Sequence, residues 1–281
     1  MLRPRPPGAG LPPGQLDAGR GVRHRRRMDV AAFFTRTSQG YLATPAARSP
    51  WNHQRVHGRV VSGLLACALE AEFGDPQFMP ARVTTDLYRL PEYAPITIET
   101  RLVRDGRRIR VVDAEFFSGG VSAARATCQF LRRSAPSPGR VWSPPPWNAP
   151  RPDDLPPPEP PARGPIGVNL PIPNEGFGPN RRWFKERLAL IEGEVITPFV
   201  RVAMSADMTS GIANAAQDGV GYINSDVTLY LHRPPRAEWI GYETVDHGAT
   251  DGVAVGSCRL YDLEGHIGAA SICGLAQVLD R

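Results

Sequence analysis

The sequence contains no uninterrupted apolar run approaching the roughly 20 residues that a membrane helix needs. Its amino-terminal stretch has no apolar core of the kind a secretory signal requires. No membrane insertion and a cytoplasmic location are therefore expected. Cysteine is scarce: Cys67, Cys128, Cys258 and Cys273 lie in apolar helix or strand patterns, and none shows CxxC spacing. That gives a metal centre no support and makes them reduced core thiols. There is no GxSxG elbow, no Walker A motif and no dinucleotide-binding glycine pattern, which argues against a Ser-His-Asp hydrolase and a nucleotide cofactor. No cofactor and no metal are expected. A basic folded surface is missing too. The formal charge is +5, but residues 1–27 alone hold seven Arg against Asp17 and leave the remainder close to neutral. A nucleic-acid footprint belongs on the folded body, so no nucleic-acid partner is expected.

What is present suffices for two cores: 281 residues, 41% apolar and 22% charged. Residues 1–27 are rich in Pro, Gly and Arg without apolar periodicity. They read as a disordered basic extension, or as lying upstream of a start at Met28. Residues 134–165 hold 13 prolines among 32. Proline fixes φ and removes donors, so this segment is predicted to be an extended, semi-rigid linker. The chain thus divides into halves at 28–133 and 166–281.

Both halves repeat one order of elements. Around 57–73, Val60, Val61, Leu64, Leu65, Ala68 and Leu69 recur near helical spacing and predict a largely buried helix. Strand patterns follow at 81–90, 95–104, 107–117 and 121–131, with Asp105-Gly106 as a hairpin signal. The second half opens with a strand near 181–190. Thr197-Pro198 then starts a helix, Thr as cap and Pro at its first position. Strands recur near 221–232, 238–247, 252–262 and 266–278. TTDLYRLP (84–91) corresponds to NSDVTLYLHRPP (224–235), with Asp86 set against Asp226. The expectation is an α+β protein: two repeats of a long buried helix wrapped by antiparallel sheet.

These segments carry a resemblance to a known family. VHGRVVSGLLACALEAEF, DLYRLPEYAPITIETRLVRDGRRIRVVDAEF and SAARATCQF in the first half, with SADMTSG and SDVTLYLHRPPRAEWIGYET in the second, resemble the hotdog superfamily. Two units in one chain resemble acyl-CoA thioesterase II, a double hotdog. The resemblance implies an acyl-CoA substrate and a water held against the thioester carbonyl by an Asp, a Ser/Thr and a Gln of the second half, with a helix N-terminus for the oxyanion. The Asp maps onto Asp207, which also interrupts an apolar helix, where an uncompensated carboxylate is costly. The Ser/Thr position falls on Asn224, able to donate and accept. Strand alternation places Asn224, Asp226 and Thr228 on one face and Ser225 on the other. The chain departs at the Gln position, where Gly274 stands; Gln277 could substitute only if a bulge shifts the register.

His57-Gly58 opens the first helix, where free N–H groups suit an oxyanion. Trp51 is expected to shape the acyl entrance, with Thr85 and Ser225 as further substrate contacts, while Trp183 and Trp239 are expected to pack. Arg55, Arg59 and Arg233 are candidates for CoA phosphates. A homodimer of double-hotdog units is compatible with the pattern. Two other readings remain: a non-catalytic acyl-thioester binding protein, favoured by Gly274, and an enoyl-thioester hydratase. Ile212 argues against the hydratase, because it stands where that class has a His after Asp207.

Overall fold

The computed structural model describes residues 32–156, 167–173, 179–217 and 219–277. The extension 1–27 and the proposed start at Met28 lie outside them. The apolar stretch after His57 forms α1 (Gly58–Phe73), buried along most of its length. It is preceded by a hairpin, β1 (Ala32–Thr37) and β2 (Gly40–Ala43), that the sequence reading did not assign. Four strands follow: β3 (Phe78–Asp86), β4 (Ile96–Asp105), β5 (Ile109–Ser118) and β6 (Val121–Arg132).

The second half begins with β7 (Val168–Ile172), β8 (Arg181–Lys185) and β9 (Ala189–Ile191). Its central helix departs from the expectation of one long element. It is broken into α2 (Pro198–Ala206) and α3 (Met208–Ala213), with Asp207 as the joint. The Asp207 N–H bonds Ser205 O, which tightens the turn. Its carboxylate is held by a residue outside the helix, so side-chain bonding competes with continuous helix. A short pair, β10 (Ala215–Ala216) and β11 (Gly219–Val220), leads into β12 (Tyr222–Asn224), β13 (Asp226–Leu231), β14 (Trp239–Thr250), β15 (Val253–Asp262) and β16 (Gly265–Ala276).

The sheet runs β7-β8-β14-β15-β16-β13-β3-β6-β5-β4-β2-β1-β9, with β12 also on β16. The halves meet at β13 and β3, antiparallel around the pair Thr228–Thr84, whose hydroxyls lie 3.1 Å apart. The flanking ladders fix the correspondence between halves. Phe78 pairs with Arg132 and Pro80 with Phe130; Tyr222 pairs with Ala276 and Asn224 with Gly274. Pro80 therefore matches Asn224, and Thr84 matches Thr228. This corrects the alignment of Asp86 with Asp226. Each half also has an irregularity at the matching place, between Pro80 and Arg82 and at Ser225. The bulge at Ser225 switches faces. Val227, Leu229 and Leu231 are buried toward the helices, and Asn224 also reaches a helix residue, so Asn224 does not share a face with Asp226 and Thr228.

β8 and β9 lie toward opposite ends of the sheet yet are separated only by residues 186–188. The sheet therefore curls around the helices until its ends meet. The helices themselves touch closely at Gly63, where a Cβ would stand 2.9 Å from Met204 Cβ. The described part of the proline-rich segment is not a free connector. Trp147 stacks on Tyr261 with centroids 4.2 Å apart, and Trp183 Nε1–H donates to Pro150 O at 2.9 Å. Trp183 and Trp239 pack in the same small cluster, as expected. Cys128 and Cys258 are buried, Cys67 is half-buried, and Cys273 is exposed, against the expectation of a core thiol. Among the described residues no helix is long and apolar enough to cross a membrane.

Candidate active site

The site forms where the N-terminus of α1 faces the break between α2 and α3. His57 has extended backbone angles and caps α1, its Nδ1 accepting the Arg59 N–H at 3.0 Å. The acceptor role of Nδ1 leaves the proton of the neutral ring on Nε2. Burial, with the Arg59 charge nearby, presses the His57 pKa down to about 3. The ring is therefore neutral at pH 7. Gly58 follows as the first helical residue, and its N–H has no intrahelical partner. Glycine is needed by space as well: a Cβ at 58 would lie 2.9 Å from Leu87 Cδ1 and 3.8 Å from Asp207 Oδ2.

Asp207 is 7% exposed. Asn224 Nδ2 donates to its Oδ1 at 2.7 Å and to Asp226 O at 3.0 Å. Its Oδ2 faces His57 Nδ1 at 3.8 Å, an approach of two acceptors rather than an ion pair. Burial raises the Asp207 pKa, while the Asn224 hydrogen bond and the Arg59 charge oppose the rise. The result is a carboxylate that accepts a proton more readily than a solvated one, which suits a general base.

These groups line a cavity of about 310 Å³ together with Trp51, Leu87, Tyr88, Leu90, Ile223, Ser225 and Leu275. The wall from Leu87 to Pro91 was not foreseen; neither was Arg89, an exposed arginine that lines this cavity and an adjoining groove holding Arg55. Arg55 also pairs with Glu92 at 2.6 Å.

Other expected residues lie elsewhere. Arg59 is 1% exposed, ion-paired with Glu186 and flanked by the rings of Phe33 and Phe184, so it does not reach a phosphate in solvent. It acts on the site through its charge. Arg233 is bidentate to Asp262 at 2.6 and 2.7 Å and locks the turn after β13. Thr85 is buried in β3 beside Val227 and does not line the cavity. Gln277 lies past the end of β16 with its N–H on Gly221 O, and it too is absent from the lining.

Gly274 stands directly opposite Asn224 in the ladder. A Cβ there would meet Ile223 O at 3.2 Å, Tyr222 Cβ at 3.3 Å and Asn214 Nδ2 at 3.4 Å. Asn214, buried at the end of α3, donates to Tyr222 O at 3.2 Å and meets His247 Nε2 at 3.1 Å. The surroundings of Gly274 are thus the backbone of Ile223, the side chain of Tyr222 and an asparagine from the end of α3.

Residues 47–131 match the family profile of the acyl-CoA thioesterase N-terminal domain, and residues 132–271 that of the C-terminal domain. No curated protein matches the sequence. Among solved structures, a tesB protein of Mycobacterium avium subs paratuberculosis is 17% identical, with TM-score 0.65, over 87% of this chain and 96% of the other. An acyl-CoA thioesterase II of Mycobacterium marinum is 18% identical, TM-score 0.60, over 79% and 91%. A protein of Alicyclobacillus acidocaldarius described as having a hot dog fold is 14% identical, TM-score 0.64, over 88% and 96%. At these identities the structures show a shared hotdog-type fold.

Proposed function

This chain belongs to the acyl-CoA thioesterase family, whose chemistry is thioester hydrolysis, and we propose that it hydrolyses acyl-CoA with a water activated by Asp207 and oriented with the help of Asn224. The observation that carries this reading is the facing arrangement: a buried carboxylate tied to an amide on one side, and the open end of α1 on the other. Asp207 takes a proton from water as the oxygen attacks the thioester carbonyl carbon. Negative charge develops on the carbonyl oxygen, where the Gly58 N–H and the His57 Nε2–H are the available donors. Collapse of the tetrahedral species breaks the C–S bond, and the proton held on Asp207 passes to the departing sulfur. The products are a free acid and CoA.

The apolar walls at Trp51, Leu87, Leu90, Ile223 and Leu275 suit the acyl and thioester portion. Arg89 and Arg55 on the adjoining groove suit the CoA phosphates; of the three arginines the sequence offered for that role, Arg55 lines this groove, while Arg59 and Arg233 are held elsewhere by Glu186 and Asp262. Gly274 opposite Asn224 favours a slow or purely binding protein as the second reading. Thiol release measured on acyl-CoA of graded chain length separates the two. Release by the wild type that Asp207→Asn abolishes supports hydrolysis; tight binding with no release selects the binding protein.

A further inference from the structure

The local two-fold relation that pairs Thr84 with Thr228 carries the catalytic cavity onto a second one. This cavity, of about 380 Å³, lies between the far end of α1 and the N-terminus of α2. Its caps and ladder positions correspond, although the acid sits one helical turn further on, at Glu70 rather than at Cys67, the counterpart of Asp207. Thr197 caps α2 as His57 caps α1, and Pro198 takes the place of Gly58 as the first helical residue. Met79 and Pro80 stand where Ile223 and Asn224 stand, and Phe130 stands where Gly274 does. An acid again faces the cap: the Thr197 hydroxyl donates to the Glu70 carboxylate. The lining is otherwise mostly apolar, with Phe78, Met79, Phe130, Phe199 and Leu231, and Asp75 is a second acid beside Glu70.

The chemistry has been stripped from this copy while the box has been kept. Pro80 has no amide to orient a water, and Pro198 has no N–H for an oxyanion. We infer that the second cavity binds another molecule of acyl thioester and holds it without hydrolysis. The ligand class rests on the reading of the first cavity as an acyl-thioester site. Two features of the second cavity select it. An apolar box accepts a hydrocarbon chain, and Glu70 inside it disfavours the anionic head of a free fatty acid but tolerates the uncharged carbonyl of a thioester. Arg133, exposed at the mouth, matches the phosphates of the carrier.

Calorimetric titration of the full chain with the non-hydrolysable thioether S-dodecyl-CoA tests this. Two equivalents per chain are expected for the wild type. Met79→Trp, filling the second cavity, is expected to leave one equivalent and to keep thiol release. Pro234→Trp, at a half-buried position on the same lining, repeats the block should Met79→Trp fail to fold. Dodecanoate is expected not to displace the second equivalent; its displacement overturns the choice of a thioester. A wild type that binds one equivalent and still releases thiol overturns the second site alone, as does a second equivalent that persists in the folded blocked variants. No binding at all overturns both sites.

Discussion

Opposite Asn224 the ladder places Gly274; at the matching position of the other half it places Phe130 opposite Pro80. The same backbone thus carries an asparagine opposite glycine in one cavity and a proline opposite phenylalanine in the other. Asp207 breaks its helix to present a carboxylate, whereas α1 runs unbroken past Glu70. Under the proposed mechanism, the hotdog scaffold alone does not confer the chemistry. It depends on a few substitutions at a helix joint, a helix cap and one pair in the ladder, and these can be changed singly.

The largest expected effect tests the asymmetry directly. Asp207→Asn should lower turnover roughly 10²–10⁴-fold, the usual loss for a general base, while Glu70→Gln leaves turnover unchanged. Because the folded-state pKa of Asp207 is raised, its ionisation opposes folding as pH rises above the unfolded value. Asp207→Asn should therefore match or exceed wild-type stability at neutral pH, read from the denaturation midpoint. A parallel fall in activity and stability would instead make Asp207 a structural residue.

Next comes the residue after each cap's neighbour: Arg59 in α1, Phe199 in α2. Arg59→Met leaves Glu186 buried and unpaired, at a cost of about 3–5 kcal/mol. Phe199→Leu should cost about 1 kcal/mol as a modest repacking. Chemical denaturation distinguishes them, and the double change Arg59→Met with Glu186→Met should recover much of the loss.

A pH titration probes the caps themselves. His57 is depressed to about 3 in the folded chain, so it favours unfolding as pH falls from about 6.5 toward 3. His57→Gln should flatten stability over that window, and Thr197→Ala should not. In the rate profile no ionisation near 6.5 is expected from His57; the rising limb belongs to Asp207, displaced above the ordinary carboxylate range. The smallest effect is expected from Asn224→Ala, roughly a 10–100-fold loss in turnover for one hydrogen bond to a charged group, with Pro80→Ala silent in the same assay.

Most strands of this fold were legible because alternation of burial repeats in each half, as in Val83 and Thr85 or Val227 and Leu229. Asp207 was legible for a related reason: a carboxylate inside Val200–Ile212 has no place in a simple apolar helix. The rest depended on long-range partners. The helix break follows from a bond to Asn224, the face of Asn224 from a bulge at Ser225, and the hairpin at β1 and β2 from pairing with β9 and β4. Arg59 read as a candidate for the CoA phosphates because nothing near it in sequence announces Glu186, 127 residues away. The Leu87–Pro91 wall was missed because the strand pattern runs on to residue 90, whereas β3 ends at Asp86 and the chain leaves the sheet there.

The meeting of the two sheet ends bears on how the protein is made. β1 pairs in parallel with β9, and Thr35 on β1 bonds Glu192, 157 residues later. At a translation rate of about 5–20 residues per second, the first strand waits on the order of 10–30 s for its neighbour to leave the ribosome. Through that interval Phe33 and Phe34, buried in the finished protein, have no second-half surface against which to pack. Synonymous codons that slow synthesis between the halves would lengthen the wait, and aggregation during expression should respond to them more than folding yield in a refolding tube does.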